Sequence, residues 1–406
     1  MAWHTLMLPR LRYHRAPRIG PRWAWTLLLV AGCETADEPA PRCEAGRAAD
    51  ATLVSLDAGN HHVCAAVSPC GAVCWGDNAF EQAGVTIEDA LSVASPRWVA
   101  QHFEFQEIDL APRHSCGLAH NGTVWCWGSN EHNELKSNYD VYRSAIPIPI
   151  EGIAGPATRL ASGGWSSCAI DIDSSVACWG NWQLDPYAPR TPTLVDGVRD
   201  AIGIDRNADT ACAVTGDGGV SCWGGFNVYG QLGDGNVGAD FSRDDAAPVV
   251  GLPESATHVA LGGDFVCAVL ASGDAACWGR GDFGFLGDGT FESKALPTLV
   301  IDLTSVVDLS ANLSHVCAVL NDGGVACWGN NTFSPEPVAD FATPQRVAGI
   351  ANVVDVAVGA WFTCALTADQ EIYCWGENQN SQLGLGEGAP SFVLTPTRVD
   401  WRAALP

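Results

Sequence analysis

The sequence predicts an all-β fold, a seven-bladed β-propeller built of four-stranded repeats of about 50 residues. The first observation is a pair of cysteines ten positions apart that occurs seven times, each time followed directly by Trp-Gly. The second is the period, since successive pairs begin 52, 52, 44, 55, 50 and 47 residues apart. A period of this length is typical of propellers and other repeat architectures. The third is that each repeat holds four short strand-like segments, the content of one blade.

Each cysteine pair brackets a predicted β-hairpin. Between Cys317 and Cys327 the apolar alternation breaks at residues 321–323, Asn-Asp-Gly, which is typical of a three-residue loop with a left-handed glycine. This register places the two cysteines opposite each other, close enough for a disulfide. We expect seven such bridges: Cys64–Cys74, Cys116–Cys126, Cys168–Cys178, Cys212–Cys222, Cys267–Cys277, Cys317–Cys327 and Cys364–Cys374. The alternative is free, buried thiols that pack as small apolar groups. Structural zinc is disfavoured because no Cys-x-x-Cys occurs.

Two further strands complete each repeat. An apolar segment such as residues 353–359 precedes the hairpin, and a Pro-x-x-Val segment such as residues 396–399 follows it. Proline suits the outermost strand of a blade. Because the array opens with the first kind of segment and ends with the second, one hypothesis is that the terminal strand completes the first blade and so closes the ring.

The repeats resemble those of the regulator of chromosome condensation family. Residues 113–130, RHSCGLAHNGTVWCWGSN, match the first half of that repeat, and residues 229–235 and 381–386 supply its Gly-Gln-Leu-Gly half. The resemblance covers about residues 51–401 and implies a seven-bladed propeller. The paired cysteines and the N-terminal segment depart from the nuclear members of the family.

The N-terminal segment is typical of an exported bacterial lipoprotein. Residues 1–22 hold five arginines and no acid, and residues 23–32 are apolar but too short to span a bilayer. Val-Ala-Gly-Cys at residues 30–33 resembles a lipobox, so we expect residues 1–32 to be a signal peptide and Cys33 to carry lipid. The alternative is an uncleaved N-terminal helix. Residues 33–50 are interpreted as a flexible tether, and residues 51–406 as the propeller.

The cysteine count fits export. After the seven pairs and Cys33, the remaining two of the 17 cysteines, Cys43 and Cys70, are left to pair with each other. An even remainder is typical of a disulfide framework formed outside the cytoplasm. We therefore expect a protein anchored in the bacterial cell envelope, facing either the periplasm or the outside, with the lipid as its only contact with the membrane.

The charge disfavours nucleic acid as a partner. The chain has 21 basic and 46 acidic residues, a net charge of −25, and lacks the cationic surface that a polyanion requires. This balance favours a basic partner or a divalent cation, or else it only keeps an exported protein soluble. Local spacing does not support a metal at His61, His62, His114 and His315, so we expect no metal and no cofactor.

The candidate binding residues lie two and three positions before each first cysteine. Equivalent positions in a propeller form a ring on one face, and aromatic residues, arginine and histidine are common in recognition hot spots. The alternative is that they only shape the mouth of the channel. The predicted ring consists of His61, His62, Arg113, His114, Trp165, Asp209, Asp264, Phe265, His315, Trp361 and Phe362.

These features favour a monomeric, non-enzymatic, surface-anchored scaffold that binds an unidentified protein through its propeller-face loops. The sequence contains no GxSxG, HExxH or phosphate-binding glycine motif. A carbohydrate-binding protein or carbohydrate-active enzyme is the alternative, with Trp165 and Trp361 as candidate stacking residues beside paired acids. The nuclear role in the family, guanine-nucleotide exchange on a small GTPase, ranks third because export, disulfides and acidity argue against it.

Overall fold

The computed structural model describes residues 50–69, 71–135, 141–181, 191–330 and 340–405. These residues form seven antiparallel four-stranded sheets, which are the seven blades of a propeller, so the predicted fold is confirmed. In every blade the strands are hydrogen-bonded in sequence order, and the first strands of all seven blades line a central channel.

Blades 1 to 4 contain strands β1 to β16. Blade 1 has β1 Thr52–Ala58, β2 His62–Ser68, β3 Ala72–Asp77 and β4 Ser92–Val99. Blade 2 has β5 Phe105–Leu110, β6 His114–Ala119, β7 Val124–Ser129 and β8 Arg143–Pro149. Blade 3 has β9 Ala157–Gly163, β10 Ser166–Asp171, β11 Val176–Gly180 and β12 Thr193–Leu194. Blade 4 has β13 Ala201–Arg206, β14 Thr210–Thr215, β15 Val220–Gly224 and β16 Arg243–Pro248.

Blades 5 to 7 contain strands β17 to β28. Blade 5 has β17 Ala256–Leu261, β18 Phe265–Leu270, β19 Ala275–Gly279 and β20 Lys294–Leu299. Blade 6 has β21 Val306–Ala311, β22 His315–Leu320, β23 Val325–Gly329 and β24 Phe341–Arg346. Blade 7 has β25 Val353–Val358, β26 Phe362–Thr367, β27 Ile372–Glu377 and β28 Phe392–Val399. Short 3₁₀ helices lie at Ala239–Phe241, Asp282–Gly284 and Trp401–Ala404.

The seven hairpin disulfides are present in the predicted register. Cys317 pairs directly with Cys327 across β22 and β23, and the Cα atoms of all seven pairs lie 4.0–4.2 Å apart. Such a separation is that of a non-hydrogen-bonded antiparallel pair. The turn between them is also as predicted, because Gly323 has φ of 75° and its N–H donates to the Leu320 carbonyl at 2.8 Å.

Neighbouring blades are held together by the tryptophan that follows each second cysteine. In five blades its indole N–H donates to a main-chain carbonyl in the loop between the third and fourth strands of the preceding blade, whereas the buried Trp223 indole nitrogen has no hydrogen-bond partner among the described residues. The pairs are Trp75 to Gln382 at 3.0 Å, Trp127 to Gln82 at 3.0 Å, Trp179 to Glu134 at 2.9 Å, Trp278 to Gln231 at 2.9 Å and Trp328 to Phe285 at 3.0 Å. These indoles are almost fully buried, so the bond also satisfies a donor that would otherwise be costly to bury.

The ring closes through hydrogen bonds between blades 7 and 1, and not through a shared blade. The terminal strand β28 pairs with β27 of its own blade, and β1 to β4 form a complete sheet, so the hypothesis of a shared first blade is wrong. Blades 7 and 1 are joined by Trp75 to the Gln382 carbonyl, and by the Leu56 N–H, which donates to the Asp355 carboxylate at 3.1 Å. Closure therefore uses the same kind of bond as the other blade contacts.

Several predictions on the N-terminal part concern residues outside those described. The signal peptide, the lipidated Cys33, the tether and the Cys43–Cys70 bridge all depend on residues 1–49 or on Cys70. Within the described ranges no helix is long and apolar enough to cross a bilayer.

Replacing Trp75 by phenylalanine tests the closing hydrogen bond. Trp75→Phe leaves the Gln382 carbonyl without its indole donor, and we expect a loss of about 1–3 kcal/mol in the free energy of unfolding. The measurement is urea unfolding followed by fluorescence. Trp98→Phe is the matched control, because the buried Trp98 indole nitrogen has no hydrogen-bond partner among the described residues. Equal destabilisation by both variants would show that the bond contributes nothing beyond packing.

Candidate functional site

The two faces of the propeller differ in the kind of loop they carry. Because successive strands of a blade run in opposite directions, the loops after the first and third strands lie at one end of each sheet. We call this end the loop face. The tight hairpins between the second and third strands lie at the other end, which we call the hairpin face. The predicted binding ring belongs to the loop face.

Five of the eleven residues of the predicted ring do not reach the surface. Six ring residues stand three positions before the first cysteine of their blade and are partly or fully exposed: His61, Arg113, Trp165, Asp209, Asp264 and Trp361. The other five ring residues stand two positions before the first cysteine and are buried: His62, His114, Phe265, His315 and Phe362. The expectation that this second set presents a binding surface is corrected here, because these residues begin the second strand of their blades and their side chains face the neighbouring blade.

The three buried histidines join adjacent blades. His62 Nε2 lies 2.9 Å from Ser115 Oγ, His114 Nε2 lies 2.8 Å from Ser167 Oγ, and His315 Nε2 lies 2.7 Å from Thr363 Oγ1. The hydroxyl partner always precedes the first cysteine of the next blade. Burial lowers the pKa of all three histidines to about 3, so they are neutral at pH 7. Their role in this structure is to connect blades.

Phenylalanine occupies the same position in blades 5 and 7, and there the partner is apolar. Phe265 is followed in the next blade by Val316, and Phe362 by Val63. A glycine five positions before the cysteine makes room for the ring, since a Cβ on Gly262 or Gly359 would lie 2.1 or 1.9 Å from it. The chain thus uses two matched solutions at this contact, histidine with a hydroxyl and phenylalanine with valine.

The exposed ring residues stack on loops of the preceding blade. The Arg113 guanidinium lies 4.4 Å from the centre of the Phe80 ring, and the Trp165 and His132 rings are 4.9 Å apart. Arg280 makes a similar contact with Tyr229 at 5.2 Å. Such contacts restrict the side chains before a partner arrives, which lowers the entropic cost of binding.

Large aromatic side chains are exposed on one face only. Within the described residues all those that are well exposed lie in loop-face segments: Tyr142, Trp165, Phe226, Phe241, Phe283 and Phe291. By contrast, the exposed side chains at the channel mouth of the hairpin face are aliphatic or polar, for example Val54, Ile202, Val307 and Val354, each the extra residue of a β-bulge in a first strand. The loop face is therefore the face with the composition of a recognition surface.

Sequence reasoning missed five of these six aromatic residues. Only Trp165 belongs to the predicted ring, because the others lie in the long loops between third and fourth strands, which differ in length from repeat to repeat. The signal that identifies them is local. A phenylalanine or tyrosine in a loop segment without periodicity has no predicted sheet face on which to be buried.

The central channel contains a second cluster of titratable groups. It is a cavity of about 410 Å³ lined by the first strands of all blades. In five cases a channel carboxylate accepts a hydrogen bond from a backbone N–H of the next blade. The donors are Leu110 to Asp57, Leu160 to Glu107, Ser162 to Asp109, Leu261 to Asp205 and Leu56 to Asp355. The acids of the channel therefore contribute to the connection between blades.

The surroundings of these carboxyls disfavour their charged form. Burial raises the pKa of Asp57, Glu107 and Asp205 to about 7 and that of Asp355 to about 8, and it holds the pKa of Asp109 well above its usual value. The described residues contain no group of three or more histidine, cysteine or carboxylate ligands placed to hold a metal ion. The geometry thus indicates a structural role for the channel acids.

Comparison with known families agrees with this architecture. Two family models, both described as the regulator of chromosome condensation (RCC1) repeat, match the chain, one at residues 112–134, 306–334 and 353–382, the other at residues 272–319 and 369–403. Within these residues the chain matches the RCC1 repeat. The matched segments fall in blades 2, 5, 6 and 7 and include four of the seven stapled hairpins wholly or in part.

Two curated relatives each match half of this chain. The mouse probable E3 ubiquitin-protein ligase HERC4 is 26% identical over 224 residues, which is 50% of this chain and 20% of that protein. The human E3 ubiquitin-protein ligase HERC2 is 32% identical over 218 residues, which is 50% of this chain and 4% of that protein. The chain therefore spans a fifth or less of the length of these relatives.

Solved structures share the fold. Human WBSCR16 is 17% identical with a TM-score of 0.72, and the comparison covers 81% of this chain and 94% of that chain. Prp20p from Saccharomyces cerevisiae, described with its binding to Gsp1p and histones, is 19% identical with a TM-score of 0.70, covering 81% and 85%. At these identities the likeness shows the propeller fold alone.

Exchanging one matched pair for the other tests the account of the buried histidines. In blade 1, His62→Phe with Ser115→Val reproduces the pair seen at Phe362 and Val63, and Gly59 leaves room for the ring as Gly359 does. We expect the double variant to change the free energy of unfolding by less than about 1 kcal/mol.

The matched control is the same exchange in blade 2, where Ala111 stands at the glycine position. We expect His114→Phe with Ser167→Val to lose about 1–3 kcal/mol, because the Ala111 methyl group crowds the larger ring. Urea unfolding measures both variants. Similar losses in the two blades would contradict the role assigned to the glycine.

The channel acids predict a fall in stability as pH rises. A carboxyl whose pKa is raised on folding binds a proton that the unfolded chain has lost, so stability declines between its unfolded pKa near 4 and its folded pKa of about 7 to 8. The buried histidines act oppositely, between about pH 3 and 6.5. Above pH 6.5 only the channel acids still change the stability. Each lowers the free energy of unfolding by at most about 1.4 kcal/mol per pH unit.

Asp355→Asn isolates one such acid, because the amide oxygen still accepts the Leu56 N–H. We expect thermal unfolding from pH 6.5 to 8 to show a smaller decrease in Tm for this variant than for the parent. The exposed Asp240→Asn serves as control and should leave the slope unchanged. A slope that Asp355→Asn does not alter would contradict the assignment.

Proposed function

We propose that this protein is a non-enzymatic scaffold that binds another protein through the loop face and is held at the bacterial cell envelope by a lipid on Cys33. The observation that carries the proposal is the confinement of exposed aromatic side chains to that face. Tyrosine, tryptophan and arginine dominate the energy of protein interfaces. The aromatic residues combine large contact area with few rotatable bonds. Monomeric soluble proteins rarely expose large contiguous apolar patches without a partner.

The stacking contacts of the loop face support recognition of a folded or extended protein segment. Trp165 keeps 41% of its surface exposed although its ring packs against His132. Arg113 is held between Phe80 and Glu131, whose carboxylate lies 3.4 Å from the guanidinium. Side chains held in this way present a preformed surface, so little ordering is needed on binding.

The disulfides support a site of action outside the cytoplasm. Structural disulfides form and persist in oxidising compartments and are rare in reducing ones. This chain has seven of them. The lipobox-like segment before Cys33 would direct export and lipid attachment. The tether would leave the propeller free to reach a partner near the membrane. On the same grounds we do not assign to this chain the binding to Gsp1p and histones described for Prp20p.

Site-specific photocrosslinking tests the proposal. Benzoylphenylalanine replaces Trp165 on the loop face or, as matched control in the same blade, Ile172 on the hairpin face; both side chains are exposed. Cells that produce the full chain with either residue are irradiated, and adducts are identified by mass spectrometry. We expect a protein adduct from position 165 that is absent at position 172.

Adducts with the same protein from both positions, or none from position 165, would contradict binding through the loop face. Lipid attachment is measured separately, as the mass of the N-terminal peptide after secretion. An unmodified N-terminus would contradict the anchor and leave the binding face to be decided by the crosslinks.

A further inference from the structure

Exposed aromatic residues are concentrated in two neighbouring loops of the loop face. Phe226 and Phe241 lie in the loop between β15 and β16 of blade 4, and Phe283 and Phe291 lie in the loop between β19 and β20 of blade 5. Their exposed fractions are 61%, 44%, 41% and 53%. Four of the six exposed aromatic residues named above therefore belong to two adjacent blades. We call residues 225–242 and 280–293, with Asp209 and Asp264 beside them, the blade 4–5 patch.

The two loops form one continuous surface. The Arg280 guanidinium lies 5.2 Å from the Tyr229 ring of blade 4 and 5.9 Å from the Phe283 ring of blade 5. Blade 4 also reaches blade 5 directly, since the Gly235 N–H donates to the Ala295 carbonyl at 3.2 Å. Arg280 is fixed in turn by Asp282 at 3.0 Å and Asp264 at 3.4 Å. The patch is thus assembled before any ligand binds.

Phe283 adopts a backbone conformation that bulky residues rarely take. Its φ and ψ are 60° and 11°, in the left-handed region that favours glycine. Phe283 keeps 41% of its surface exposed, so the burial of its side chain offsets only part of the energetic cost of this conformation. Strained positions of this kind are common at binding surfaces.

The patch also carries an excess of negative charge. Its acids are Asp209, Asp234, Asp240, Asp264, Asp282, Asp288 and Glu292. The bases in and beside it are Arg243, Arg280 and Lys294, and each is already paired with an acid of the patch, Asp234, Asp282 and Glu292 respectively. With seven acids and three paired bases, the field over the exposed phenylalanines is negative and favours a cationic partner.

We propose that the blade 4–5 patch binds a basic protein segment that also carries apolar side chains. Its lysine or arginine groups pair with the acids that have no base within the patch, and its apolar side chains pack on Phe226, Phe241 and Phe291. Nucleic acid and anionic lipid are repelled by the same acids. This inference rests on the proposed function and names the partner class and the part of the loop face that binds it.

Short peptides of defined composition test the inference. The probe is a fluorescein-labelled peptide in which arginine and leucine alternate with glycine; one companion has serine for leucine, and a second has glutamate for arginine. Fluorescence anisotropy follows their binding to the disulfide-bonded protein at low and at high salt. We expect the arginine–leucine peptide to bind about tenfold more tightly than either companion, and its affinity to fall as salt screens the charges.

Variants locate the binding site. Phe226→Ser with Phe291→Ser removes two exposed rings, and we expect about tenfold weaker binding of the arginine–leucine peptide with an unchanged Tm. Ile172→Ser with Val307→Ser removes two exposed aliphatic side chains from the hairpin face and should leave binding unchanged.

Equal binding of the arginine–serine peptide would show that charge alone acts, and an unaffected phenylalanine variant would place binding elsewhere; either result overturns the inference. If crosslinks from position 165 still identify a partner, the proposed function survives that failure. If the peptides behave as expected and the crosslinking fails, the patch stands as a binding site and the cellular role proposed for the loop face does not.

Discussion

Every blade depends on one cross-strand disulfide at the middle of its hairpin. The bridge fixes the pairing of the second and third strands. The Trp-Gly that follows each second cysteine therefore always lies at the same position in the sheet. The tryptophan then reaches the preceding blade, as Trp75 does at the ring closure. A slip of one residue in this register would turn every side chain of the hairpin to the other face. Thirteen of the fourteen bridged cysteines are fully buried, and Cys327 is partly exposed.

The glycine after the tryptophan connects this framework to the variable loops. Gly76 has φ of 101°, and a Cβ there would lie 2.5 Å from the His61 carbonyl oxygen. Only glycine allows the chain to pass so close to the loop before the second strand. Beyond this point the chain enters the long loops of the loop face, which differ in length and sequence, while the paired cysteines and the Trp-Gly of the hairpins are the same in every repeat. The arrangement separates a rigid, repeated interior from a surface that can specialise, which is why we place recognition in those loops.

Local periodicity predicted the hairpins well and the contacts between blades poorly. The pairing of Cys317 with Cys327 follows from a pattern eleven residues long. The bond between His62 and Ser115 joins residues 53 positions apart, and strand alternation does not show whether His62 faces solvent or the next blade. A signal was present, since each histidine at this position is matched by a hydroxyl residue in the next repeat. Phe226 and Phe291 had no periodic signal, because their loops belong to no strand.

The central claim is an exported propeller whose seven hairpins are each closed by a disulfide. The most direct test is to count free thiols by mass spectrometry, before and after reduction, in the mature chain produced through a bacterial secretory pathway. The account predicts that peptide mapping joins Cys317 to Cys327 and joins the six equivalent pairs likewise, with no free thiol among these fourteen. Mostly free thiols in the folded protein would contradict the account and would place the chain in a reducing compartment.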